Sequence, residues 1–224
     1  VSSDHERFGE WRRSGSSRPQ ARAQDQVGLE VIRAFIAVEL PPPLHDYLAE
    51  LARRLLREVP PGSVRWVRQD GIHLTLKFLG QVPEERLAEI NLLLEPRLRQ
   101  LVPFQVQIGG LGCYPEMQRP RVVWVGARSP AGELKGLQAS VETSLSEIGF
   151  SPEMREYSGH LTLGRVRREA TRGELKQIGE AIARMEETEW RTLEVNRVAL
   201  FQSDLRPDGA VYMRLGEWRL RESP

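Results

Sequence analysis

One tetrapeptide occurs twice, as His73-Leu74-Thr75-Leu76 and His160-Leu161-Thr162-Leu163, in a chain with only four histidines. Side chains alternate between the faces of a β-strand, so each copy read as a strand puts its histidine and threonine on one face and its leucines on the other. Two imidazoles, each with a hydroxyl beside it, suit acid–base chemistry on a phosphate. One ring takes a proton, the other gives one, and the hydroxyls hold the charged oxygens. Core packing explains the leucines but not why His and Thr share the opposite face both times.

Rival chemistries are poorly supplied. A transition metal needs three or four ligands, and the motifs bring no cysteine pair, no His-x-x-x-His helix and no carboxylate. No metal or organic cofactor is therefore expected. No Gly-x-Ser-x-Gly elbow occurs, and the single cysteine, Cys113, has no histidine nearby in sequence. The glycines at 109, 110 and 112 lack the lysine and helix start of a phosphate loop, so they predict a turn or bulge.

The elements that must position the motifs follow from periodicity. Alternation from Ile32 to Val38 predicts a strand ended by Pro41-Pro42-Pro43, and Leu44, Leu48, Leu51, Leu55 and Val59 recur at helical spacing. His45 lies in the first turn of that helix and is expected to be solvated. A short strand around Trp66 leads to the first motif strand, 72–79, with Leu74, Leu76 and Phe78 facing the core. Pro83 opens a second helix, which Pro96 should kink or split. Strands are predicted at 104–108 and 121–125. A third amphipathic helix carries Leu134, Leu137, Val141, Leu145 and Ile148 and is closed by Gly149.

The second motif strand spans 160–166. Thr171 and Glu174 form a capping box for a fourth helix, and strands near 192–202 and 210–220 finish the chain. Short β–β connections at 62–72 and 206–210 argue against a purely parallel sheet, giving an α+β arrangement. Each motif strand lies after an amphipathic helix and before another, a weak two-fold repeat.

Net charge is +1, from 32 basic and 31 acidic residues, so any phosphate recognition must be local rather than a global field. A single cysteine excludes an internal disulfide framework. No apolar run is long enough to span a bilayer and no signal peptide pattern opens the chain, so a cytoplasmic protein without a membrane partner is expected. Residues 1–30 are polar and lack apolar periodicity, which predicts a mobile extension before a single domain over 31–222.

His73-Leu74-Thr75-Leu76-Lys77-Phe78-Leu79-Gly80 and His160-Leu161-Thr162-Leu163-Gly164-Arg165 resemble the paired His-x-Thr-x motifs of the two-histidine phosphoesterase superfamily. Within it the chain is similar to the RNA 2′,3′-cyclic phosphodiesterases, also described as 2′-5′ RNA ligases. Supporting stretches are Arg33-Ala34-Phe35-Ile36-Ala37, Val64-Arg65-Trp66-Val67, Pro120 to Trp124 and Ser203 to Tyr212. The resemblance implies a bilobal fold of two sheets with the motif strands facing each other across a cleft.

It also implies that His73 is the proton donor and His160 the proton acceptor, with Thr75 and Thr162 on the phosphate. The partner would be an RNA end or nucleotide bearing a 2′,3′-cyclic phosphate, bound by a monomer without cofactors. The family commonly has a proline before the second histidine, where this chain has Gly159. It often has a basic residue at the position of Arg165. Strict alternation turns Arg165 away from His160, and a bulge or strand end at Gly164 would bring it back as a substrate contact. Two other readings stay open: a non-catalytic nucleotide or RNA-end binding module, and an esterase for small cyclic-phosphate or 2′-5′ linked nucleotides.

Overall fold

The computed structural model describes residues 30–185, 189–206 and 209–221. Residues 1–29 of the expected mobile extension lie outside these residues. The alternation after Glu30 becomes β1 (Val31–Val38), and the leucine stripe that follows becomes α1 (Pro42–Glu58), with Leu44, Leu48, Leu51 and Leu55 buried. Prolines fit its first turn because N–H groups there have no helical acceptor.

The chain continues through β2 (Val64–Trp66), a 3-10 turn (Gln69–Gly71), β3 (Leu74–Pro83), α2 (Arg86–Leu98), β4 (Phe104–Tyr114) and β5 (Val122–Arg128). It then forms α3 (Glu133–Glu147), β6 (His160–Val166), α4 (Arg172–Arg184), β7 (Arg191–Val195), β8 (Arg197–Arg206) and β9 (Gly209–Arg219). Gly149 closes α3 with φ +88°, its N–H bonding Ser146 and that of Phe150 bonding Leu145, as a Schellman cap requires. The capping box of α4 is present as read from Thr171 and Glu174.

Two antiparallel sheets result, ordered β3-β1-β8-β9 and β2-β6-β5-β4-β7. The halves of the chain interlock: β2 joins the sheet of β6, and β8 and β9 join the sheet of β1. Leu74 and Leu76 of the first motif and Leu161 and Leu163 of the second enter one core shared by both sheets and α1, α2 and α3.

Three expectations are corrected, and one is borne out. Pro96 does not split α2, which runs through it to Leu98. The bond it forgoes would have gone to the carbonyl of Leu92, a residue 74% exposed, where solvent can take its place. The segment 192–202 is two strands in different sheets, because the buried positions change parity at Asn196, from Leu193 and Val195 to Val198 and Leu200. The glycine stretch forms the predicted bulge, inside β4 between Gly109 and Leu111, where Gly110 takes φ +72°.

The third correction is Phe78, which is 64% exposed rather than in the core. On β3 the pairing steps from Ala37 opposite Thr75 to Ile36 opposite Lys77, so Leu76 is an extra residue. On β6 it steps from Trp124 opposite Thr162 to Val123 opposite Gly164, so Leu163 is extra. Both motif strands therefore bulge at the fourth residue of the motif. Each bulge reverses the alternation after it, turning Lys77 and Gly164 inward and Phe78 and Arg165 outward.

Candidate active site

His73 lies at the mouth of β3, directly after the 3-10 turn. Its ring stacks on Phe35 with centroids 4.5 Å apart and meets Tyr212 edge-on at 4.9 Å. Phe35, Ala37, Ala199 and Phe201 form an aromatic floor on the face of the first sheet opposite the shared core. Burial against this floor pulls the imidazole down to about 4, against which a hydrogen bond with the Gly71 backbone acts only in part.

His160 opens β6. Its Nδ1 lies 2.8 Å from the carbonyl of Ser158, which can only accept, so Nδ1 carries the proton and Nε2 keeps its lone pair. Tyr114 meets its ring edge-on at 5.1 Å, and Trp124 lies tilted at 6.3 Å. Each motif histidine is thus held the same way: a backbone bond two residues upstream, a tyrosine edge-on and a second aromatic beside it. Thr75 and Thr162 are partly exposed beside their histidines, on the face the sequence assigns to them.

The two motifs are tied together. The hydroxyl of Tyr157 donates to the Thr75 carbonyl at 3.0 Å. Lys77, inward because of the bulge, donates to Glu142 on α3 at 2.7 Å and to the Ser151 carbonyl at 2.9 Å. The first motif strand is therefore anchored at two points to the loop that leads into the second. Burial raises the Tyr157 phenol, so it stays a neutral donor at any ordinary pH. Gly159 is required by close approach, since a Cβ there would lie 2.6 Å from the Ala127 carbonyl oxygen and 2.8 Å from Leu134.

Arg165 points to the side of the strand that carries His160. It is exposed, while its neighbours Gly164 and Val166 are buried. Burial raises the Tyr212 phenol, against which the positive charges of Arg165 and Arg33 act in part. The charge of Arg165 on β6 is thus felt at the tyrosine beside His73.

A cavity of about 640 Å³ opens beside His73, walled by Glu39, His45, Asp70, Asn196, Phe201 and Tyr212. His45 is not simply solvated: its Nδ1 is buried there without a partner among the described residues. Sequence reasoning missed Tyr157, Lys77 and Tyr212. A lysine inside the strand that repeats Leu-x-Leu was the one available signal, since a cation in that position needs a partner once the strand bulges. Among the described residues, no three His, Cys, Asp or Glu side chains are grouped to hold a metal, and no helix is long and apolar enough to cross a membrane.

Comparison with known proteins agrees with this geometry. The model of the family described as LigT like Phosphoesterase matches twice, over residues 38–124 and 125–212, one motif in each match. The chain is 34% identical over 189 residues to the RNA 2′,3′-cyclic phosphodiesterase of Methanothermobacter thermautotrophicus, covering 84% of this chain and 99% of that one. It is 34% identical over 187 residues to the protein of the same name from Archaeoglobus fulgidus, covering 82% and 98%. The crystal structure of a Thermus thermophilus protein superposes with TM-score 0.71 at 26% identity, covering 85% of this chain and 98% of that one. E. coli LigT complexed with 3′-AMP superposes with TM-score 0.68 at 26% identity, covering 86% and 100%. With its paired motifs on matching bulged strands and a match to the family model in each half, this chain belongs to the LigT-like phosphoesterase family.

Proposed function

We propose that the protein hydrolyses 2′,3′-cyclic phosphodiester ends of RNA to 2′-phosphomonoesters, with His160 as proton acceptor and His73 as proton donor. His160 Nε2 takes a proton from water, whose oxygen attacks phosphorus. The P–O3′ bond breaks as His73 protonates the departing O3′. Thr75 and Thr162 donate to the non-bridging oxygens, and Arg165 faces the charge that builds there. The reverse reaction joins a cyclic end to a 5′-hydroxyl as a 2′-5′ linkage without ATP.

The observation that carries this reading is the matched pair of histidines, each oriented by a backbone bond two residues upstream. A binding module needs no such acid–base pair. His73 on its own is neutral near pH 7, so it must gain its proton together with the substrate. A phosphodiester charge ~4 Å away contributes ~4 kcal/mol at an effective dielectric of ~20, or ~3 pKa units. That is sufficient to make the ring an acid.

The depressed His73 also favours a second reading, in which the roles are exchanged. Identification by phosphorus NMR of the nucleotide formed from a 2′,3′-cyclic substrate should give the 2′-phosphate. A predominant 3′-phosphate means that His73 faces O2′ or acts as the base, and absence of ring opening overturns the activity itself.

Residues 31–222 are read as one catalytic unit, supported by strands exchanged between the sheets, acting as a cytoplasmic monomer. Light scattering of the purified protein at micromolar concentration should give the mass of one chain, and a dimer mass contradicts this.

A further inference from the structure

We propose that Gly112 and Trp124 are positioning residues for His160: the glycine leaves a seat on the sheet for the indole, and the indole, with Tyr114, fixes the plane of the imidazole. This rests on the role of proton acceptor proposed above for His160. Among the described residues the His160 ring makes one hydrogen bond, to the Ser158 carbonyl at 2.8 Å. One bond leaves the ring free to turn about its axis, so the plane is set by what packs beside it. Those neighbours are Tyr114, edge-on at 5.1 Å, and Trp124, tilted at 6.3 Å, and their own rings lie 5.2 Å apart. His73 differs, because it is sunk against Phe35 and Phe201.

Trp124 stands on β5 between Gly112 of β4 and Thr162 of β6. Leu111 and Cys113 pack toward the cores on the other side, so Gly112 faces the cleft. A Cβ at position 112 would lie 2.3 Å from two atoms of the six-membered ring of Trp124 and 2.7 Å from a third. Carbon atoms pack at ~3.5 Å or more, so any side chain there would push the indole away by ~1 Å. Gly109, in the same stretch, gives Trp190 room in the same way, since a Cβ there would lie 2.7 Å from that ring. The glycine run therefore does more than bulge: it holds two indoles against the second sheet.

The Trp124 indole N–H is buried without a hydrogen-bond partner among the described residues. Leaving a buried donor unpaired costs free energy, and shape alone then keeps this ring in place. The seat at Gly112 is that shape. Displacing the indole removes the contact that holds the imidazole against the Ser158 carbonyl, and with it the fixed tautomer that leaves the Nε2 lone pair open to water.

The test is a double-substitution cycle in the full chain. In Gly112→Ala the methyl group takes the space of the ring edge, so kcat for a 2′,3′-cyclic substrate should fall by on the order of ten-fold or more, with KM within about two-fold. Trp124→Phe lacks the ring atoms that overhang residue 112 and should itself lower kcat several-fold. In that background Gly112→Ala should add almost nothing, because no ring edge is left to displace. Nitrogen-15 NMR of the His160 ring reads the same coupling without substrate: one tautomer, protonated on Nδ1, in wild type, and a mixture in Gly112→Ala and in Trp124→Phe. Equal losses from Gly112→Ala in both backgrounds, a raised KM with kcat intact, or an unchanged tautomer in Trp124→Phe overturns the seat. A tautomer that loosens while kcat stays the same contradicts the acceptor role of His160 and not the seat.

Discussion

Tyr157 donates its hydroxyl hydrogen to the backbone carbonyl of Thr75 at 3.0 Å, so the loop entering the second motif is bonded to the strand carrying the first. Tyr157→Phe keeps the packing and removes only this bond. Stability should fall by about 1 kcal/mol, and kcat should fall several-fold with little change in KM, because the two motifs lose their fixed spacing. A variant with lowered stability and unchanged kcat would reduce Tyr157 to a strut.

Lys77 and Glu142 form a pair whose side chains are only 5% and 14% exposed. Removing one partner of such a pair strands the other, so Lys77→Met should cost about 3–5 kcal/mol, while Lys77→Met/Glu142→Gln should recover part of that loss. Urea unfolding of the three proteins checks this. A loss in the single variant no larger than that of an ordinary surface substitution contradicts it.

Gly164 occupies the place that Lys77 holds in the first motif strand, but a Cβ there would lie 2.6 Å from Val64 and 3.2 Å from Trp66. Gly164→Ala should therefore destabilise by about 1–3 kcal/mol and raise KM, because the bulge that aims Arg165 is forced to shift. Thermal melting and steady-state kinetics on a cyclic substrate provide the readout, and an unchanged KM would detach Arg165 from substrate binding.

The His73 ring is pulled by burial from 6.5 to about 4. Between those values the unfolded chain binds the proton and the folded chain does not, so folding stability drops as pH falls from 6.5 to 4. His73→Phe removes that loss. The variant should gain on wild type by on the order of 2 kcal/mol between pH 7 and pH 4.5, seen in urea midpoints. A stability difference that stays constant with pH would place the ring in a wetter site.

Much of the fold was legible because burial imposes period: the leucine stripes of α1 and α3, the cap at Gly149 and the box at Thr171 follow from local chemistry. The paired histidines were legible because the tetrapeptide repeats. Phe78 and Lys77 were not, since a strand bulge depends on what the neighbouring strand does, and alternation alone assigns them the wrong faces. Tyr157 was invisible for a different reason: its partner is a backbone carbonyl in the other motif strand, and no spacing in the sequence reports such a contact. Pro96 misled because a missing helix bond is costly only where water cannot replace it.

The central claim is that His73 and His160 are a working acid–base pair, and kcat/KM for opening a 2′,3′-cyclic phosphate tests it most directly. His73→Ala and His160→Ala should each lower it by on the order of 10²-fold or more, and the double variant should be little worse than either, as expected for groups that act as a unit. Full activity in either single variant, or losses in the double variant that simply multiply, would contradict the account.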